Sequence, residues 1–130
     1  MNSVADLLRR RSLGLASDED FVRELMESDV WVLATYPSIG DSIIRIQDYV
    51  MDGTSFIPVF LDSQVAFRRR SEGELASGEL SSNRVVRVKG EALLDLLHGD
   101  ETLMVDAGED RATTMYSRDL KALVDRLRNP

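Results

Sequence analysis

Apolar residues recur along the chain with two different periods, and the change of period predicts where a helix gives way to a strand. The residues Phe21, Val22, Leu25 and Met26 recur at spacings of three and four, which predicts a helix with one apolar face. Ser17 is expected to cap this helix, because a serine side chain accepts a hydrogen bond from an N–H of the first turn. The β-branched and aromatic run over 30–36 then predicts a strand.

The same criteria predict the remaining elements. A short helix is expected within the first 14 residues and ends at Gly14. Strands are expected over 42–50, 55–61, 85–89, 102–106 and 112–116, and helices are expected after an N-cap at Ser63, over 91–97, and after an N-cap at Ser117. Asp52-Gly53 favours a tight hairpin turn. Pro58 has no N–H, so it predicts an edge, a bulge or a strand end at its position.

These elements predict an α/β fold of the mixed α+β kind, with a central mixed sheet of about five to six strands and helices packed on it. A chain of 130 residues has the length of a single compact domain. We expect its core to span about 17–128, with 1–16 as an N-terminal helix or arm.

Charge and composition exclude several classes of function. The formal net charge of −7 argues against nucleic acid and anionic membranes as partners, because contacts with phosphate need surplus cations. The absence of cysteine excludes disulfides, thiolate metal sites and cysteine nucleophiles. Apolar runs are far shorter than a membrane span, and the first residues lack an export signal, so we expect a cytoplasmic protein.

His98 is the single histidine and the first candidate for chemistry. It could act as a general base or a metal ligand, or it could be a polar residue at the end of a helix. A cluster of acids follows it: Asp100, Glu101, Asp106, Glu109 and Asp110. We interpret this cluster as a solvated, acidic end of the sheet. The spacing matches no calcium loop and no nucleophile elbow or phosphate loop occurs, so we predict neither metal, cofactor nor catalytic site.

The densest basic run is Arg68, Arg69 and Arg70, and the predicted loop over 71–82 separates it from Arg84, Arg87 and Lys89. Such a group could bind a carboxylate, a phosphate or an acidic protein surface, or it could be a solubilising cluster at a helix end. We expect a binding surface at the end of the sheet that includes Phe60. An exposed Trp31 would add a partner site.

Three segments resemble the N-terminal domain of the SseB family, the enhanced serine sensitivity proteins. They are residues 21–32 (FVRELMESDVWV), residues 57–63 (IPVFLDS) and residues 89–94 (KGEALL), followed by a strand and the helix from Ser117. The likeness covers roughly 20–128. This sequence has Asp106-Ala107-Gly108 where family members tend to carry Asn-Pro. The resemblance implies a bacterial α/β domain without an assigned enzymatic mechanism, and it brings no catalytic residues.

The function predicted from these observations is a non-enzymatic adaptor that binds a protein partner. The alternative is a sensor domain that binds a small anionic metabolite beside the same arginines, and hydrolysis using His98 is a third hypothesis. A homodimer is possible in each case, since an open strand edge or an exposed Trp31 could pair two copies.

Overall fold

The computed structural model describes residues 9–10, 14, 17–35, 45–46, 48–51, 53–71, 84–106 and 112–129. Within this part the chain forms four helices and seven strands. In chain order they are α1 (Asp18–Glu27), β1 (Asp29–Thr35), β2 (Arg45–Ile46), β3 (Tyr49–Met51), β4 (Thr54–Phe60), α2 (Ser63–Ser71), β5 (Arg84–Lys89), α3 (Gly90–Leu96), β6 (Thr102–Val105), β7 (Thr113–Tyr116) and α4 (Ser117–Arg128). The predicted mixed α+β fold is confirmed. Most of the predicted helix within the first 14 residues lies outside the described residues, as does the predicted loop over 71–82 except for Ser71, which is the last residue of α2.

All seven strands belong to one mixed sheet. The strand β1 pairs antiparallel with β5 along one side and with β4 on the other, where Trp31 lies opposite Phe60. The strand β4 pairs in parallel with β6, and β6 pairs antiparallel with β7. The short strands β2 and β3 pair with the far end of β1 and the start of β4.

Both faces of the sheet are covered, and this explains why residues 30–34 of β1 are apolar without interruption. Val30 and Val32 face a large core built with residues of α1, α3 and α4. Leu33, on the alternate face, belongs to a second cluster with Ala66 of α2. Three helices therefore cover one face and α2 covers part of the other, which we call the α2 face.

Of the three predicted positions for Pro58, an edge and a strand end are wrong, because Pro58 lies inside β4 in register with Met104 of β6. Its missing N–H is tolerated because the ladder between β1 and β4 contains Trp31–Phe60 and Val32–Val59 and stops before Pro58.

Helix caps are confirmed at one end and wrong at two others. Ser17 and Asp20 form a reciprocal capping box at the start of α1, as predicted for Ser17. The cap of α2 is Asp62 rather than Ser63, since its Oδ1 accepts hydrogen bonds from the N–H groups of Gln64 and Val65. Ser117 is the first residue of α4, and the N-cap is Tyr116, which makes no side-chain capping hydrogen bond.

Candidate protein-interaction surface

Helix α2 places its basic run on the surface of the α2 face. It follows β4 directly and packs across β1 and β5, with Ala66 fully buried against the sheet. The next two residues lie on its outer side, since the Phe67 side chain is 58% exposed and Arg68 is exposed. Arg69 is half-buried, and the side chain of Arg70 lies outside the described residues.

Phe60 does not belong to this surface. Its side chain is fully buried in the second cluster and is inaccessible to solvent and to a binding partner. The position of Phe60 at the end of a strand predicts that its side chain is accessible. Helix α2, however, begins three residues later and covers the Phe60 side chain. The sequence-based assignment of Phe60 to the binding surface is therefore wrong.

Trp31 lies between the core and the surface. It is half-buried, packs against the second cluster, and lies opposite Phe60 of β4 on one side and Arg87 of β5 on the other. The indole is therefore held in place by the sheet while part of it remains accessible beside a guanidinium.

Strand β5 adds two cations to the same face. Alternation along the strand places Arg87 and Lys89 on the α2 face together with Val85, which packs against the second cluster. Their side chains are 69% and 65% exposed, and each lies 4.0 Å from the carboxylate of Asp29. One acid thus lies between two cations. We call Phe67, Arg68, Arg69, Arg87 and Lys89, with Trp31 at their inner border, the α2–β5 surface.

The opposite face has a different charge pattern. Helix α1 carries the acids Asp18, Glu19, Asp20, Glu24 and Glu27. Arg128 of α4 bonds to Asp95 at 3.1 Å and lies 3.6 Å from Glu91, and the hydrogen bond to Asp95 raises its pKa. The two described cavities, of about 240 and 410 Å³, are lined by residues of α1, α4 and their neighbours, so neither is formed by the α2–β5 surface.

The segment around His98 is held by a clasp of hydrogen bonds to the carboxylate of Glu101. The carboxylate of Glu101 accepts hydrogen bonds from the N–H groups of His98 and Gly99 and from the Ser117 hydroxyl, at 2.9–3.0 Å. His98 Nδ1 lies 3.3 Å from the same carboxylate. Ser117 is fully buried and its hydroxyl donates a hydrogen bond to Glu101 rather than to His98, so it is not aligned as a nucleophile activated by His98.

Partial burial favours the neutral form of Glu101, but these hydrogen bonds outweigh it and lower the pKa of the carboxyl to about 2. Glu101 was interpreted as part of a solvated acidic end of the sheet, and this is wrong.

Asp106 is the second acid of that cluster with a structural role. It is fully buried and has a positive φ of 57°. Its N–H donates to the carbonyl of Val59 at 2.7 Å, and its Oδ1 accepts from the N–H of Leu61 at 3.0 Å. The residue at which this sequence departs from the SseB pattern therefore joins the ends of β4 and β6, next to the start of α2.

In the part of the chain that the structure describes, no group of three or more His, Asp or Glu side chains could hold a metal ion. None of the described helices has the length and apolar character needed to cross a bilayer. No protein-family model, curated protein or solved structure matches this chain. The resemblance to the SseB family stays a prediction.

Proposed function

We propose that this chain is a non-enzymatic, cytoplasmic protein-interaction domain whose α2–β5 surface binds an acidic segment of a partner protein. The observation that carries the proposal is the convergence of two separate basic segments, one from α2 and one from β5, on one face of a protein whose net charge is −7. The SseB-like sequence pattern agrees with a bacterial adaptor of this kind.

The composition of the surface supports a protein partner. Arginine and aromatic side chains are enriched where proteins bind each other, and here Phe67 and Trp31 accompany the cations. Exposed charges of one sign chiefly speed and orient the encounter with an oppositely charged surface. The apolar area of the two aromatic rings then supplies contact that does not depend on salt.

A small anionic metabolite is a weaker proposal for the same surface. Small ligands bind in concave sites that bury most of their area. Both described cavities lie beside α1 and α4, across the sheet from Arg68.

The test is a pull-down from lysate of the native host with three tagged proteins, quantified by mass spectrometry. They are the wild type, the double variant Arg68→Glu/Arg87→Glu, and the matched control Arg118→Glu/Arg126→Glu. Each variant reverses two exposed cations, but the control pair lies on α4, across the sheet. We expect a partner that the wild type and the control capture and that the first variant captures about tenfold less. Equal capture by all three proteins would contradict the proposal.

A further inference from the structure

We infer that the acidic segment binds as an additional β-strand along the open edge of β5, so that the sheet itself is extended by the partner. This inference rests on the proposed function and names how the α2–β5 surface recognises its partner.

Strand β5 lies at one end of the sheet. All six of its residues pair with β1, from Arg84 opposite Ala34 to Lys89 opposite Asp29, and among the described strands it pairs with no other. With respect to the described residues, the opposite edge of β5 is unpaired and presents backbone donors and acceptors in the arrangement that strand addition uses.

One hydrogen bond determines which backbone groups face that edge. The N–H of Gly90 donates to the carbonyl of Ser28 at 2.8 Å, one residue beyond the Lys89–Asp29 pair. In an antiparallel ladder, hydrogen-bonded pairs alternate with pairs that are not bonded to each other. The backbone groups of Val86 and Val88 thus point to β1, and those of Val85, Arg87 and Lys89 point to the open edge.

The side chains of β5 specify the chemistry of the added strand. Arg87 and Lys89 are exposed on the α2 face, where they would lie beside acidic side chains of the partner. Val86 and Val88 are half-buried on the other face and extend the main core to this edge. A strand that alternates acidic and apolar residues matches both faces at once.

Other occupants fit this edge less well. A second copy of β5 would place arginine and lysine beside one another, which is unfavourable for strand pairing. Nucleic acid would use the cations but not the alternating N–H and C=O groups. The edge strand β7 has the sequence Thr-Thr-Met-Tyr and carries no charge to attract an acidic strand.

The test is binding of a capped ten-residue peptide of alternating glutamate and valine, measured by fluorescence anisotropy with the full chain. Two further peptides carry N-methyl groups on every second residue, in the two possible phases, one on the glutamates and the other on the valines. Each therefore lacks the N–H donors along one edge of the peptide strand, while its charge is unchanged. We expect one phase to bind about tenfold more weakly than the parent and the other to bind like it. A lysine–valine peptide should also bind about tenfold more weakly.

Hydrogen exchange locates the bound peptide by residue. With the peptide at saturation, the amide protons of Val85 and Arg87 should exchange about tenfold more slowly, since they gain partners. The amide protons of Val86 and Val88, which already bond to β1, should change little and serve as internal controls.

Three results would overturn the inference: no binding of the parent peptide, equal binding of both methylated phases, or no protection at Val85 and Arg87. If both phases bind equally while Arg87→Glu weakens all three glutamate–valine peptides, the basic surface stands and strand addition fails. The proposed function itself fails separately, in the pull-down, if charge reversal at Arg68 and Arg87 loses no partner.

Discussion

The hydroxyl of Ser117 donates a 2.9 Å hydrogen bond to the carboxylate of Glu101, and accepts one in return from the Glu101 N–H at 3.1 Å. The Ser117 N–H also donates to the Glu101 carbonyl, at 2.9 Å. These bonds join the start of β6 to the start of α4, although the two residues are 16 positions apart. Glu101 therefore fixes the turn that carries His98 as well as the helix start beside it.

This clasp predicts an acid-sensitive contribution to stability. The folded state lowers the pKa of Glu101 from 4.5 to about 2. The ionised carboxylate therefore contributes its full stabilisation above about pH 4.5, and the contribution is lost as the pH falls through 2. Glu101→Gln should lower the free energy of unfolding at pH 7 by about 1–3 kcal/mol, because charged hydrogen bonds are weakened or lost.

Urea unfolding of the wild type and Glu101→Gln between pH 2 and 7 measures this difference. The difference in the free energy of unfolding between the two proteins should decrease toward zero as the pH approaches 2. Asp100→Asn removes the same charge from the neighbouring exposed residue, and its difference from the wild type should stay small throughout. A difference for Glu101→Gln that does not change with pH would contradict the clasp.

Asp106 is predicted to stabilise the fold in two ways: its carboxylate accepts a hydrogen bond from a buried N–H group, and aspartate tolerates the positive φ of its backbone. Asp106→Ala removes the acceptor for the buried N–H of Leu61 and places alanine at a positive φ, so we expect a loss of about 2–4 kcal/mol. Asp106→Asn keeps an acceptor oxygen and suits the left-handed region, so it should cost about 1 kcal/mol or less. Thermal unfolding of the two variants tests the prediction, and equal losses would refute it.

Gly90 is required by close packing between α1 and α3. A Cβ at this position would overlap the carbonyl oxygen of Leu25, which is backbone and unable to rotate away. Gly90→Ala should therefore destabilise the protein by about 2–3 kcal/mol or more, even though alanine favours a helix. The control is Ala92→Gly, at an exposed position of the same helix, which should cost about 1 kcal/mol. Urea unfolding measures both variants. A Gly90→Ala protein as stable as the wild type, or more stable, would rule out the close contact between Gly90 and the Leu25 carbonyl.

Local pattern predicted most of the elements correctly. The helix beginning at Asp18, the strand through Val30 and Val32, and the strand and helix that meet at Gly90 follow from apolar spacing and capping chemistry. Their types were predictable because both periods are strong over these segments. The caps at Ser63 and Ser117 were not, because the choice between adjacent capping residues depends on distant partners.

The candidate surface was predicted only in part, for the same reason. The exposure of Arg68 could be expected because charged side chains are seldom buried, but the neighbourhood of Arg87 and Lys89 depends on the long-range pairing of β5 with β1. Phe60 shows the converse. Alternation along β4 cannot distinguish a solvent face from a face covered by α2, because both faces of the strand are apolar.

The most direct test of the account is a selection of random peptides from a display library on three immobilised proteins. These are the wild type, Arg68→Glu/Arg87→Glu and the control Arg118→Glu/Arg126→Glu, each first shown to unfold at the same temperature. The account predicts that the wild type and the control enrich peptides rich in aspartate and glutamate, and that the first variant does not. Selected peptides without acidic enrichment, or the same acidic peptides on all three proteins, would contradict it.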